Sequence, residues 1–172
     1  MHLGQVEQAL RPRAYPRRMA PQFKYRRNLP HIRRDGATYH VSWSLARREE
    51  VLSPVERDIV ITALRHFDSV RYQLHTAVVM DDHVHTLFTP YAAHPLHTIM
   101  HSWKSFTAHT LVKLGRIAPV WTAEYFDTII RDADHLRSTT AYILDNPARR
   151  WPGTSSYRWL LMPRPSGPPS LP

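Results

Sequence analysis

Two histidines one residue apart, His83 and His85, stand in the stretch HVHTLFT (83–89). Extended backbone alternates faces with period two, so both imidazoles lie on one face, about 6–7 Å apart at the backbone. Such a pair can chelate one metal ion, imidazole being the commonest protein ligand for one. The spacing alone is a weak signal. With 12 His in 172 residues, roughly 0.8 His-x-His pairs arise from composition by chance, so context must decide. The context is favourable: Val84, Thr86 and Phe88 point to the opposite, core-directed face, which leaves the imidazoles an environment of their own.

A second candidate group lies near the end of the chain, in the stretch DHLRSTTAYILDNP (134–147). With Tyr142 set at zero and 100° per residue, His135 falls at about +20°, Asn146 at about +40° and Ser138 at about −40°, while Leu144 is almost opposite. Tyr142 therefore shares a polar stripe with Asn146, one turn further on. Two His and an Asn carbonyl oxygen could hold a divalent cation. A phenol, with a pKa near 10, is a poor nucleophile until activated. A metal on a phosphodiester oxygen polarises phosphorus and offsets developing charge. The Tyr oxygen could then attack in line and expel a sugar hydroxyl, leaving a phosphotyrosine that a hydroxyl can later reverse without ATP. That chemistry needs no Cys, Walker loop or carboxylate cluster, and the chain has no Cys and no convincing example of the other two.

The elements that must position these groups are readable from periodicity. Thr38–Leu45 alternates, with Tyr39, Val41, Trp43 and Leu45 against Thr38, His40, Ser42 and Ser44, and is expected to be a strand. Ser53-Pro54 opens a helix as N-cap and first helical residue, with Ile59, Val60, Ala63, Leu64 and Phe67 as its buried stripe. Tyr72–Met80 and His83–Thr89 form a hairpin about Asp81-Asp82. Pro95 begins an amphipathic helix through Leu96, Ile99, Met100, Trp103, Phe106, Thr107, Leu111 and Leu114, which Gly115 ends. A fourth strand is expected near Tyr125–Ile130. A last helix, capped by Asp132 or Asp134, is expected to stop at Pro147. The order β-α-β-β-α-β plus one helix is the ferredoxin-like split β-α-β plan, an α+β fold. The two crossover helices would share one face of an antiparallel sheet, and the added C-terminal helix carries the Tyr.

Composition limits the rest. Length fits one domain plus tails. The absence of Cys excludes a disulfide scaffold, a Cys-ligated zinc site and a Cys nucleophile. No apolar stretch is long enough to span a membrane, and the N-terminus has no apolar core of a secretory signal, so the expected location is the cytoplasm. Of the net charge of +9, residues 1–34 carry +8, from nine Lys/Arg against Glu7. These residues read as a basic, disordered arm in which Arg26, Arg27, Arg33 and Arg34 would meet phosphates, with steep salt dependence. Residues 35–160 are the expected domain and 161–172 a Pro-rich tail, with five prolines in 163–172.

Five ordered segments together resemble the HUH-type single-tyrosine transposases, in particular their REP-associated branch: LPHIRRDGATYHVSW (29–43), AVVMDDHVHTL (77–87), IMHSWKSFTA (99–108), VWTAEYFDTIIRD (120–132) and YILDNP (142–147). The resemblance implies that His83 and His85 bind Mg2+ or Mn2+, that Asn146 is the third ligand, and that Tyr142 forms a 5′-phosphotyrosine and frees a 3′-hydroxyl. It implies a substrate of single-stranded DNA with a small hairpin, handled by a monomer or a homodimer. Lys104, in Trp103-Lys104-Ser105, becomes a candidate phosphate contact. One departure is visible: Asp81-Asp82 stands where the family usually has Pro-Asp, which should alter the turn rather than the ligands.

Other readings exist. A non-catalytic nucleic-acid-binding domain on the same fold would stack bases on sheet aromatics, but the third strand offers His there, and Tyr39 and Trp43 alternate toward the helices. A metal-free phosphoesterase would need two His-x-Thr/Ser motifs, and only His40-Val41-Ser42 fits. A degenerate site kept for binding alone would still show the same Tyr, His and Asn.

Overall fold

Alternation along the first strand sends every second side chain into one core, and this organises the molecule. The computed structural model describes residues 36–163. In chain order these form β1 (Tyr39–Ser44), α1 (Pro54–His66), β2 (Tyr72–Val79), β3 (His83–Pro90), α2 (Leu96–Lys113), β4 (Phe126–Ile129), α3 (Ala133–Arg150) and β5 (Leu160–Leu161). The sheet order is β4-β1-β3-β2-β5, antiparallel throughout. The first four strands keep the order of the split β-α-β plan, with β3 inserted between β1 and β2.

Local chemistry places the helix ends. Ser53 and Glu56 form a reciprocal capping box at α1, with Ser53 N–H donating to Glu56 Oε2 at 2.7 Å. Gly115 ends α2 at φ +104°. Arg116 N–H reaches back to Leu111 O and Gly115 N–H to Val112 O, a Schellman closure that a side chain at Gly115 would strain. Asp132 caps α3 by accepting from His135 N–H at 2.7 Å.

Two expectations need correction. α3 does not stop at Pro147 but runs one turn further, to Arg150. An interior proline loses its N–H bond and crowds the carbonyl four residues back, but the turn after it is tied elsewhere: Trp151 N–H donates to Pro147 O, and Arg150 pairs with Asp81 at 2.9 Å. Leu161, assigned from sequence to the tail, belongs to the sheet. β5 pairs with Ala77 and Val78 of β2, and Thr76 Oγ1 donates to Leu161 O at 2.6 Å.

The sheet has two unlike faces. α1 and α2 cover one, burying Tyr39, Val41, Trp43, Tyr72, Phe88, Trp103 and Trp121 in one cluster. Several of their polar atoms are satisfied internally: Trp103 Nε1 donates to Tyr72 OH, which donates to Leu64 O, and Trp121 Nε1 donates to Thr107 Oγ1. α3 lies against the other face over a small cluster of Val78, Met80, Leu87 and Ile143. Among the described residues no helix is long and apolar enough to cross a membrane.

Candidate active site

The second face is where the chemistry-bearing side chains meet. His83 and His85 project from β3 toward the α3 side, as period two demands, with ring centroids 4.9 Å apart. Register adds a third imidazole. β1 pairs with β3 so that Ser42 faces His85 and His40 faces Leu87, which makes His40 the diagonal neighbour of His85 on the same face, a separation rings can bridge. His40 Nε2 and His85 Nδ1 are 3.1 Å apart, and the two rings stack at 5.2 Å.

Tyr142 comes to this cluster from α3 of the same chain. Its ring lies edge-on to His85 at 5.3 Å and to His40 at 6.2 Å between centroids. Thr139, Ile143, Asn146 and Pro147 are the buried residues of α3, and Tyr142 is 39% exposed at the rim of that face. The polar stripe seen in the sequence is thus partly the packing stripe, because the sheet surface beneath it is itself polar. Asn146 is buried, and its Nδ2 donates to Tyr142 O at 2.7 Å, leaving Oδ1 as the amide's remaining acceptor. Arg149 places its guanidinium 5.2 Å from the Tyr142 ring and pairs with Asp145 at 2.5 Å.

Electrostatics follow burial. Desolvation holds His40 down at about 4, assisted by the nearby His135. Burial, reinforced by His83 and His40, pushes His85 well below the usual imidazole value. The two rings are therefore neutral at pH 7, the form in which imidazole binds metal. His83 Nδ1 lies 2.5 Å from Asp82 Oδ1, and this hydrogen bond holds the Asp82 carboxyl below its ordinary range.

These contacts test whether the residues suit a cation. Each candidate ligand ring, His83 and His85, has its Nδ1 occupied by a protein partner and, among the described residues, no hydrogen-bond partner at its Nε2, the arrangement that outer partners impose on metal-binding imidazoles. Among the described residues no group of three or more His, Cys, Asp or Glu is placed to hold a metal ion. A site here would consist of two imidazoles and the Asn146 amide oxygen, with further positions left for water and substrate.

Lys104 has another task. Its ammonium donates to Thr122 O at 2.7 Å and Ala123 O at 2.9 Å, anchoring the loop before β4 on the α2 side of the sheet, away from the imidazoles. Arg26, Arg27, Arg33 and Arg34 lie outside the described residues. Sequence reasoning missed His40 as a member of the cluster and Asp82 as the partner of His83. The polar alternation of β1 carried the first signal, but the β1–β3 register needed to use it is a tertiary property.

The match to known proteins agrees with this architecture. The chain belongs to the IS200-like transposase family, whose family model matches residues 34–146, and the family carries a transposase-like DNA-processing function. In fold it is similar to a solved REP-associated tyrosine transposase bound to a REP hairpin, at 19% identity and a TM-score of 0.60, over 72% of this chain and 75% of that one. A transposase structure from Deinococcus radiodurans R1, described as putative, aligns at 21% identity and a TM-score of 0.47, over 63% of this chain and 88% of that one. No curated protein matches the chain in sequence.

Proposed function

We propose that the chain is a metal-dependent single-stranded DNA nickase and strand transferase, with Tyr142 as nucleophile. The observation that carries this reading is the convergence, within one chain, of the Tyr142 ring on His85 at 5.3 Å and of His85 on His83 at 4.9 Å. His83 and His85, with Asn146 Oδ1, would hold the cation, Mg2+ or Mn2+. When bound, such an ion supplies Lewis-acid polarisation of a phosphoryl oxygen, worth several kcal/mol. Tyr142 then forms a bond from its phenolic oxygen to phosphorus as the bond to the sugar 3′-oxygen breaks. The phenol gives up its proton and the departing oxygen gains one. The products are a 5′-phosphotyrosine and a 3′-hydroxyl, and the reverse attack by a hydroxyl joins strands.

Membership in the transposase family and the hairpin held by the structurally similar protein support hairpin-bearing single-stranded DNA from repeats as the partner. The arm, through Arg26, Arg27, Arg33 and Arg34, supplies phosphate contacts that fix affinity rather than sequence. The test is incubation of the full chain with hairpin-bearing single strands and Mn2+ or Mg2+. Cleavage is expected with either ion, and loss of cleavage in His83→Ala even at millimolar Mn2+. Binding without cleavage under every metal condition would instead identify a non-catalytic nucleic-acid-binding domain. Removing residues 1–34 is expected to weaken binding and flatten its salt dependence, and unchanged affinity would remove the arm from the interface.

A further inference from the structure

We propose that His40 is a positioning residue that fixes the tautomer of His85: its Nε2 accepts the Nδ1 proton of His85 and so leaves His85 Nε2 bare for a divalent cation. This rests on the metal reading above. The 3.1 Å contact between His40 Nε2 and His85 Nδ1 joins two ring nitrogens, so one must donate and the other accept. If His40 donated, the proton of neutral His85 would sit on its Nε2 and block the position a metal would take. The neighbouring ring shows which arrangement the site is built for. His83 Nδ1 faces the Asp82 carboxylate at 2.5 Å, and a carboxylate only accepts, so Nδ1 of His83 carries a proton and the neutral ring, the form that binds metal, has its lone pair on Nε2. With His40 as acceptor, His85 matches it, and two bare Nε2 atoms stand side by side on rings 4.9 Å apart.

The same bond excludes two other roles for His40. A neutral His40 that accepts at Nε2 carries its own proton on Nδ1. It then has no lone pair left to ligate a cation or to take the proton of Tyr142, whose ring it meets edge-on at 6.2 Å. Its stacking on His85 at 5.2 Å and 26° between planes restrains the plane of the His85 ring as well as its proton.

The test uses the full chain, labelled with 15N-histidine and freed of metal, in long-range 15N–1H correlation spectra, followed by calorimetric titration with Mn2+. Wild type is expected to show His83 and His85 both as the Nδ1–H tautomer. His40→Gln keeps an acceptor oxygen, so it should preserve that pattern and hold Mn2+ affinity within a few-fold. His40→Phe should shift His85 toward Nε2–H, leave His83 unchanged, and weaken Mn2+ binding by about 10–100-fold. An Nε2–H tautomer of His85 in wild type overturns the proposal, whether or not His40→Phe folds. So does a His40→Phe protein with unchanged His85 tautomer and Mn2+ affinity. A wild type that has the Nδ1–H tautomer yet takes up no Mn2+ supports the hydrogen-bond assignment and overturns the metal reading beneath it.

Discussion

Under α1 and α2 the sheet buries Tyr39, Trp43, Tyr72 and Phe88 against Trp103 and Trp121, with Trp103 stacked on Trp43 at 6.1 Å. On the α3 side the small buried apolar cluster is Val78, Met80, Leu87 and Ile143, with Trp151 and Tyr157 packed against it, and the buried residues include His85, Thr139 and Asn146. The same strands supply both faces, one residue out of phase. The first face is filled with large apolar rings, whose burial stabilises a fold. The second spends its area on groups that cost free energy to bury unless hydrogen-bonded. On the proposed function, stability and chemistry divide between the two faces of one sheet, and substitutions on opposite faces should fail in different ways.

The sharpest contrast is expected from Tyr142→Phe. Removing one hydroxyl at a rim position should abolish covalent DNA adducts, while the melting temperature and DNA affinity stay near wild type. Adduct formation by the variant would dissolve the proposed division between the faces. On the other face, Trp103→Ala should cost about 3–5 kcal/mol in urea denaturation, as large-to-small core substitutions do. A loss below about 1 kcal/mol there would mean that the aromatic face does not dominate stability.

The pH dependence of stability probes the polar face directly. Burial holds His40 at about 4 in the folded chain, below the ordinary imidazole value of 6.5. A depressed imidazole contributes stability that is fully present above pH 6.5 and is lost as the pH falls from 6.5 toward 4. The maximum loss is about 3 kcal/mol from this group. His85 and His75, also depressed by burial, act in the same direction. Urea midpoints in EDTA at pH 7.5, 6 and 5 should fall for wild type and fall less for His40→Gln. Equal slopes would mean that His40 is not buried as a neutral ring. The smallest effect is expected from Arg149→Ala. It breaks a pair with Asp145 whose side chains are both more than half exposed, so its stability cost should stay below about 1 kcal/mol.

Much of this contrast was legible before any coordinates. Alternation in Tyr39–Leu45 and in His83–Phe88 assigns side chains to faces, Ser53 and Gly115 mark helix ends where they are found, and of the two candidate caps Asp132 and Asp134 the structure uses Asp132. What sequence lacked was register and local compensation. His40 joins the site only because β1 pairs with β3 so that it opposes Leu87, and strand pairing over 45 residues leaves no local trace. α3 outlasts Pro147 because Arg150 finds Asp81, a partner 69 residues away. Lys104, a candidate phosphate contact by resemblance, donates to two backbone carbonyls, acceptors that no side-chain pattern reveals. β5 is two residues long, too short for any periodicity to register.

One measurement reaches the centre of the account. The full chain, incubated with a hairpin-bearing DNA single strand and Mn2+, then denatured, digested and read by mass spectrometry, should yield the peptide containing Tyr142 with a 5′-phosphorylated nucleotide fragment bonded to its phenolic oxygen. Cleaved DNA with that peptide unmodified, or with the nucleotide on any other residue, would contradict the assignment of Tyr142 as the attacking group.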